Sequence, residues 1–89
     1  MSTHESHPDI VKRLKRAEGH IKSVIKMFED ERGCLDIAQQ LHAIEKAISS
    51  AKKALVHDHI DHCLNDAMSD NKIDSSAALK EFKDITKYL

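Results

Sequence analysis

The chain has 89 residues, enough for one small domain and no more. Hydrophobic residues make up 40% of it, drawn from Ile, Leu, Val and Ala with no Trp, while Gly and Pro are nearly absent; this excludes a turn-rich sheet protein and points to long helices joined by short loops. The formal net charge of −1 selects no partner by itself, and no apolar run reaches the ~18–20 residues of a membrane span.

Residues 1–7 are expected to form a tail. The opening "MSTHESHPD" has no apolar core of the kind a signal peptide needs, so the expected compartment is the cytoplasm. In that reducing environment the two cysteines suit metal ligation or thiol chemistry better than a disulfide.

Pro8 fits a first helical turn, where its missing N–H would be unpaired anyway, and Asp9 meets the positive end of the helix dipole. Apolar residues at Ile10, Leu14, Ala17, Ile21, Val24, Ile25 and Phe28 fall at three-and-four spacing and predict helix 1 over residues 8–31. The segment "EDERGC" breaks the pattern, with Gly33 as the turn residue. A second stripe of Ile37, Leu41, Ile44, Ile48, Ala51, Leu55, Ile60 and Leu64 predicts helix 2 over residues 34–68. Such a helix is roughly 45 Å or more in length, well beyond what a small monomer requires. "SDNKIDSS" reads as a linker in which Asp74 or Ser75 caps helix 3, residues 74–88, with its own stripe of Leu79, Phe82, Ile85 and Leu89.

The expected fold is therefore all-α, a three-helix protomer forming a single domain over residues 1–89. Helix 1 alone leaves much of the helix 2 stripe wet, and exposed apolar surface on that scale marks an interface. The expected assembly is a dimer built as an antiparallel four-helix bundle.

Helix 2 ends in "HDHIDHC", His57 to Cys63. His59 and Cys63 are four apart and share a helix face, with Cβ atoms about 5–6 Å apart. His62 borders that face, and His57 points elsewhere. Imidazole with thiolate suits Zn(II), Cu(I), Ni(II) or Co(II) and does not suit Mg(II) or Ca(II). The remaining thiol, Cys34, opens the same helix, and 25 residues of α-helix put it about 38 Å from His59. One chain cannot bring the two together. In an antiparallel dimer the start of one helix 2 meets the end of the other, so Cys34 of one protomer reaches His59 and Cys63 of its neighbour. The plainer readings are a His/Cys pair on an exposed helix with no ligand, Cys34 as a small buried hydrophobe, and a purely structural zinc site.

These residues carry a resemblance. "CLDIAQQLHAIEKA" and the closing "HIDHC", preceded by "RLKRAEGHIKSVIKM", resemble the CsoR/RcnR family of small all-helical bacterial repressors, over about residues 8–65. The resemblance implies that Cys34, His59 and Cys63 are sensing ligands bridging two protomers of a dimer within a tetramer, a dimer of dimers. It implies Cu(I), or Ni(II)/Co(II) with a fourth ligand from the tail, where His4 and His7 stand and to which His62 is a further candidate. The tyrosine that copper sensors of the family carry before the first cysteine is replaced by Gly33, which tilts the expectation towards Ni(II)/Co(II). His59 argues against a persulfide sensor, and Ser2 against the formaldehyde-sensing branch, which uses an N-terminal proline.

Helix 1 carries Lys12, Arg13, Lys15, Arg16, Lys22 and Lys26, and helix 2 adds Lys46, Lys52 and Lys53. Such a stripe on one helix is ordinarily a solvated face; repeated over four protomers it becomes a surface able to neutralise many phosphates. The resemblance implies operator DNA as the partner, bound without a helix-turn-helix, with Arg13, Arg16 and Lys53 matching basic positions of the family; His20 stands where relatives often carry Gln. The expected protein is a metal-responsive repressor that binds operator DNA in the apo form, is released by the metal, and so derepresses efflux or resistance genes. The alternatives are a metallochaperone or metal store without DNA binding, a persulfide or thiol-reactive-signal sensor of the same family, and a structural oligomerisation module. No Ser/His/Asp or paired-carboxylate arrangement suggests an enzyme, and no small-molecule substrate is expected.

Overall fold

A computed structural model describes residues 6–69 and 75–89, and those residues form three helices and no strand. α1 spans His7–Glu29, α2 Cys34–Ser69 and α3 Ser75–Thr86. Pro8 is the second residue of α1 and Asp9 its first-turn acid, so the start of the helix loses no hydrogen bond to proline and gains a favourable charge. α1 begins one residue before the expected boundary and stops two residues short of it, α2 extends one residue further, and α3 ends two residues sooner. Asp74, the expected cap of α3, lies outside the described residues.

The turn between α1 and α2 is built differently from its sequence signal. Glu31 adopts the left-handed conformation with φ 56, and neither glycine has positive φ. The N–H of Glu31 donates to the carbonyl of Phe28 (3.1 Å) and that of Arg32 to the carbonyl of Met27 (2.9 Å). This pair of bonds is a Schellman cap, which satisfies the last carbonyls of α1 and turns the chain sharply. Gly33 instead caps α2, its carbonyl accepting from the N–H of Ile37 at 3.1 Å.

α1 and α2 pack as an antiparallel hairpin, and its core is written in sevens. Ile10, Ala17 and Val24 are the buried residues of α1, and Ile37, Ile44 and Ala51 face them from α2; Val56, five residues on and off the sevenfold spacing, is buried as well. Val24, Ile37 and Ile44 form the central cluster, with Met27 against it. A second row on each helix, Leu14–Ile21–Phe28 and Leu41–Ile48–Leu55, keeps the same spacing and stays exposed. The apolar stripe on each helix is thus divided in two, because one facing helix covers only a narrow seam, and much of the helix 2 stripe stays exposed as expected. α3 lies on the later half of α2, with Phe82 and Ile85 half-buried and Leu79 and Leu89 exposed.

The protomer measures 59 × 23 × 13 Å. Its thinnest dimension is close to the diameter of one helix with side chains, about 10–12 Å, so the hairpin is a single layer. Stable domains bury their apolar faces between two layers. The accessible surface of 7092 Å² is likewise about a third above the roughly 5,300 Å² expected of a compact monomer of this mass.

A left-handed glutamate costs about 1–2 kcal/mol relative to glycine before the entropy of the unfolded chain is counted. Glu31→Gly is therefore expected to raise stability by about 1 kcal/mol, read by urea unfolding at one protein concentration. A Cβ on Gly33 meets nothing within 4 Å, so Gly33→Ala should change stability by less than about 0.5 kcal/mol. A loss above ~1 kcal/mol at Gly33 with no gain at Glu31 contradicts this account of the turn.

Candidate functional site

α2 runs without a break from Cys34 to Ser69. Cys34 is its first residue, an exposed free thiol, and His59 sits 25 residues later, about 38 Å away along the axis. Among the described residues no three His, Cys, Asp or Glu side chains come together as a metal site. Cys63 occupies the turn after His59 on α2; its side chain, like the whole of His4, lies outside the described residues.

The His59 end of α2 is where three parts of the chain converge. The imidazole is half-buried, and its Nε2 lies 3.1 Å from Oε1 of Glu81 on α3. A carboxylate on Nε2 fixes the ring and leaves metal ligation to Nδ1, the arrangement by which outer partners orient ligating histidines. From the other side, His7 in the first turn of α1 places Nε2 3.9 Å from Oδ2 of Asp58. His62 is half-buried on the following turn. The donors present, a thiol and an oriented imidazole, fit Cu(I), Ni(II) or Co(II) in their chemistry, but one chain supplies them at opposite ends of a rod.

The basic residues divide in a way the sequence stripe does not show. Lys12, Arg13 and Arg16 line a groove of about 610 Å³ between α1 and α2, joined there by His20 and Ser50 and, among the described residues, by a single acid, Asp9. The Arg13 guanidinium spans the two helices, donating from Nε to Asp9 Oδ2 at 2.9 Å and from Nη1 to Ser50 Oγ at 3.3 Å. The exposed Asp9–Arg13 pair, an i,i+4 contact, is worth only about 0.3–0.5 kcal/mol and yields easily to a phosphate. Lys15 lies in a separate shallow hollow with Val11 and Leu14. Lys52 and Lys53 are exposed on α2 and do not line the groove. At its inner end the half-buried His20 has Nε2 2.6 Å from Oε1 of Gln40, tying α1 to α2.

A profile of metal-sensitive transcriptional repressors matches residues 6–88. The chain belongs to that family. The copper-sensing transcriptional repressor CsoR of Bacillus subtilis is 36% identical over 78 residues, 88% of this chain and 75% of the relative. The copper-sensing transcriptional repressor CsoR of Mycobacterium ulcerans is 33% identical over 85% of this chain, which spans 63% of that relative's length. In three dimensions the chain is similar to the nickel-responsive transcriptional regulator InrS, with a TM-score of 0.83 and 29% identity, covering 100% of this chain and 99% of the other. The family consists of metal-sensing repressors, not enzymes, with copper- and nickel-responsive members. No described helix is long and apolar enough to cross a membrane.

Glu81, Gln40, Ser50 and Asp9 enter the site from the structure alone. Glu81 is separated from His59 by the linker, and nothing in its local sequence marks it. If it orients His59 for a metal, Glu81→Ala should weaken metal affinity about 10–100-fold, measured by chelator competition on the reduced protein. Unchanged affinity would mean that the contact has no part in metal binding.

Proposed function

We propose that the protein is an operator-binding repressor released by a transition ion, Ni(II)/Co(II) or Cu(I), held between two protomers by Cys34 of one and His59 and Cys63 of the other. The observation that carries this reading is the exposed row Leu41–Ile48–Leu55. The row is centred on Ile48. An antiparallel copy that buries it sets Leu41 against the partner's Leu55 and Ile48 against the partner's Ile48. In the same register Cys34 falls opposite the partner's His62, the turn flanked by His59 and Cys63. The register that best hides the apolar row is thus the register that completes the ligand set. Two copies of the site follow from the two-fold symmetry of such a dimer, and the remaining apolar row, Leu14–Ile21–Phe28, is surface for a dimer of dimers.

Nickel or cobalt is favoured over copper because His7 lies beside Asp58, one residue from His59. A nitrogen donor from the first turn, or from His4 before it, raises the coordination number beyond the three ligands of Cu(I). DNA is met by the groove of Lys12, Arg13 and Arg16, with Lys15, Lys52 and Lys53 as flanking phosphate contacts. Release is a linkage: a metal that prefers one arrangement of α2 against its partner lowers DNA affinity only by its differential affinity for that arrangement, typically about 5–150-fold.

Anaerobic titration with Ni(II), Co(II), Cu(I) and Zn(II), scored by release of operator DNA, tests the reading. Nickel or cobalt should release DNA in wild type and fail to do so in Cys34→Ala; release by Cu(I) alone overturns the preference for nickel. Arg13→Glu with Arg16→Glu should abolish operator binding and spare metal affinity, whereas intact operator binding points instead to a metal store. Sedimentation provides a separate check on assembly. Ile48→Glu buries two like charges against each other and should yield monomers at concentrations where wild type is oligomeric; an unchanged oligomer places the interface elsewhere.

A further inference from the structure

The basic groove ends at a residue that the operator-binding reading leaves without a task. We infer that His20 is a further DNA-contacting residue, taking up a proton from solvent at Nδ1 when a backbone phosphate enters the groove, keeping it, and hydrogen-bonding to that phosphate through it, with Gln40 as its positioning residue. This deepens the operator-binding reading and rests on it.

The geometry separates the two ring nitrogens. Nε2 of His20 lies 2.6 Å from Oε1 of Gln40. A carbonyl oxygen only accepts, so Nε2 carries hydrogen and donates to it. That bond exists in the neutral and in the cationic ring alike. Protonation therefore happens at Nδ1 and changes it from acceptor to donor, while the ring stays where Gln40 holds it. Half-buried between α1 and α2, the ring loses little freedom on making a second bond.

The groove supplies the reason for the proton to arrive with DNA. Lys12, Arg13 and Arg16 from α1 share it with His20, and among the described residues Asp9, already bonded to Arg13, is the only acid lining it. From α2 the lining is Ala47 and Ser50, with Gln40 behind, so that helix adds no charge there. An empty groove holds an excess of positive charge, and a further proton adds to it. A phosphate reverses this balance. Phosphate binding and proton uptake at His20 thus favour each other, and by linkage the effect runs in both directions.

The consequence is that the number of phosphates neutralised depends on pH. Apo protein, with chelator present, is titrated with fluorescent operator duplex across a range of salt near pH 6 and near pH 8. The wild-type plot of log affinity against log salt should be steeper at the lower pH, by up to about 0.9 for each engaged groove, and affinity should be higher there. His20→Gln retains a donor for Gln40 and takes up no proton, so its slopes should be equal at the two pH values. His20→Ala, as a second variant, should show equal slopes too. Equal slopes in wild type, or a pH-dependent slope surviving in His20→Gln, overturn the inference. Arg13→Glu distinguishes the two levels of the argument: persistent operator binding in that variant removes the DNA-binding reading itself. Lost binding there, with a pH-dependent slope intact in His20→Gln, removes the role of His20 alone.

Discussion

The unbroken helix α2 is the constraint from which the rest follows. A helix of 36 residues is a rod that fixes its two ends relative to each other in both distance and direction. With Cys34 at one end and His59 far along the other, no folding of a single chain closes a site that needs both. Any chemistry that uses Cys34 together with His59 has to be intermolecular. In the site proposed above the ligand bonds would themselves be subunit contacts, so metal would be reported by a change in how subunits sit against each other.

The seven-residue rows supply the means. One row on each helix is consumed in making the hairpin, and the second stays on the surface of a protomer one helix thick. Half of the hydrophobic pattern is spent on the fold, and half is left on the surface where the proposed assembly would cover it. The basic groove lies between the same two helices, so its width depends on how α1 and α2 lie together. A change in the packing of α2 against a partner reaches the groove through one shared element, with no need for a longer chain of contacts.

Helices, their approximate ends and the all-α architecture were legible because they depend on local periodicity. That Cys34 and His59 stand far apart on one helix and cannot meet within a chain was legible as a spacing argument, since helical rise is constant. Other features were hidden for physical reasons. Gly33 looks like the hinge of "EDERGC", yet the left-handed residue is Glu31; the cost is small enough for two cap bonds to outweigh it, so composition misleads. Glu81 beside His59, and Gln40 beside His20, are contacts between different helices, chosen by packing and not by any local signal. The stripe of basic residues also gives no hint that Lys15 separates from Lys12, Arg13 and Arg16, because a few degrees of helix rotation decide which side chains enter a groove.

The symmetry of the exposed row about Ile48 has a consequence for what lengths α2 tolerates. Between Cys34 and His59 the helix acts as a ruler and a protractor together. One residue added there turns His59 by about 100° relative to Cys34 and advances it by about 1.5 Å, which would retain every proposed ligand and still break the proposed site. Seven residues restore the facing but move the ends apart by about 10.5 Å and shift the centre of the apolar row with them. Substitution is therefore cheap along much of this helix, while insertion and deletion are not. In the proposed site the count of residues between Cys34 and His59 matters as much as the residues themselves.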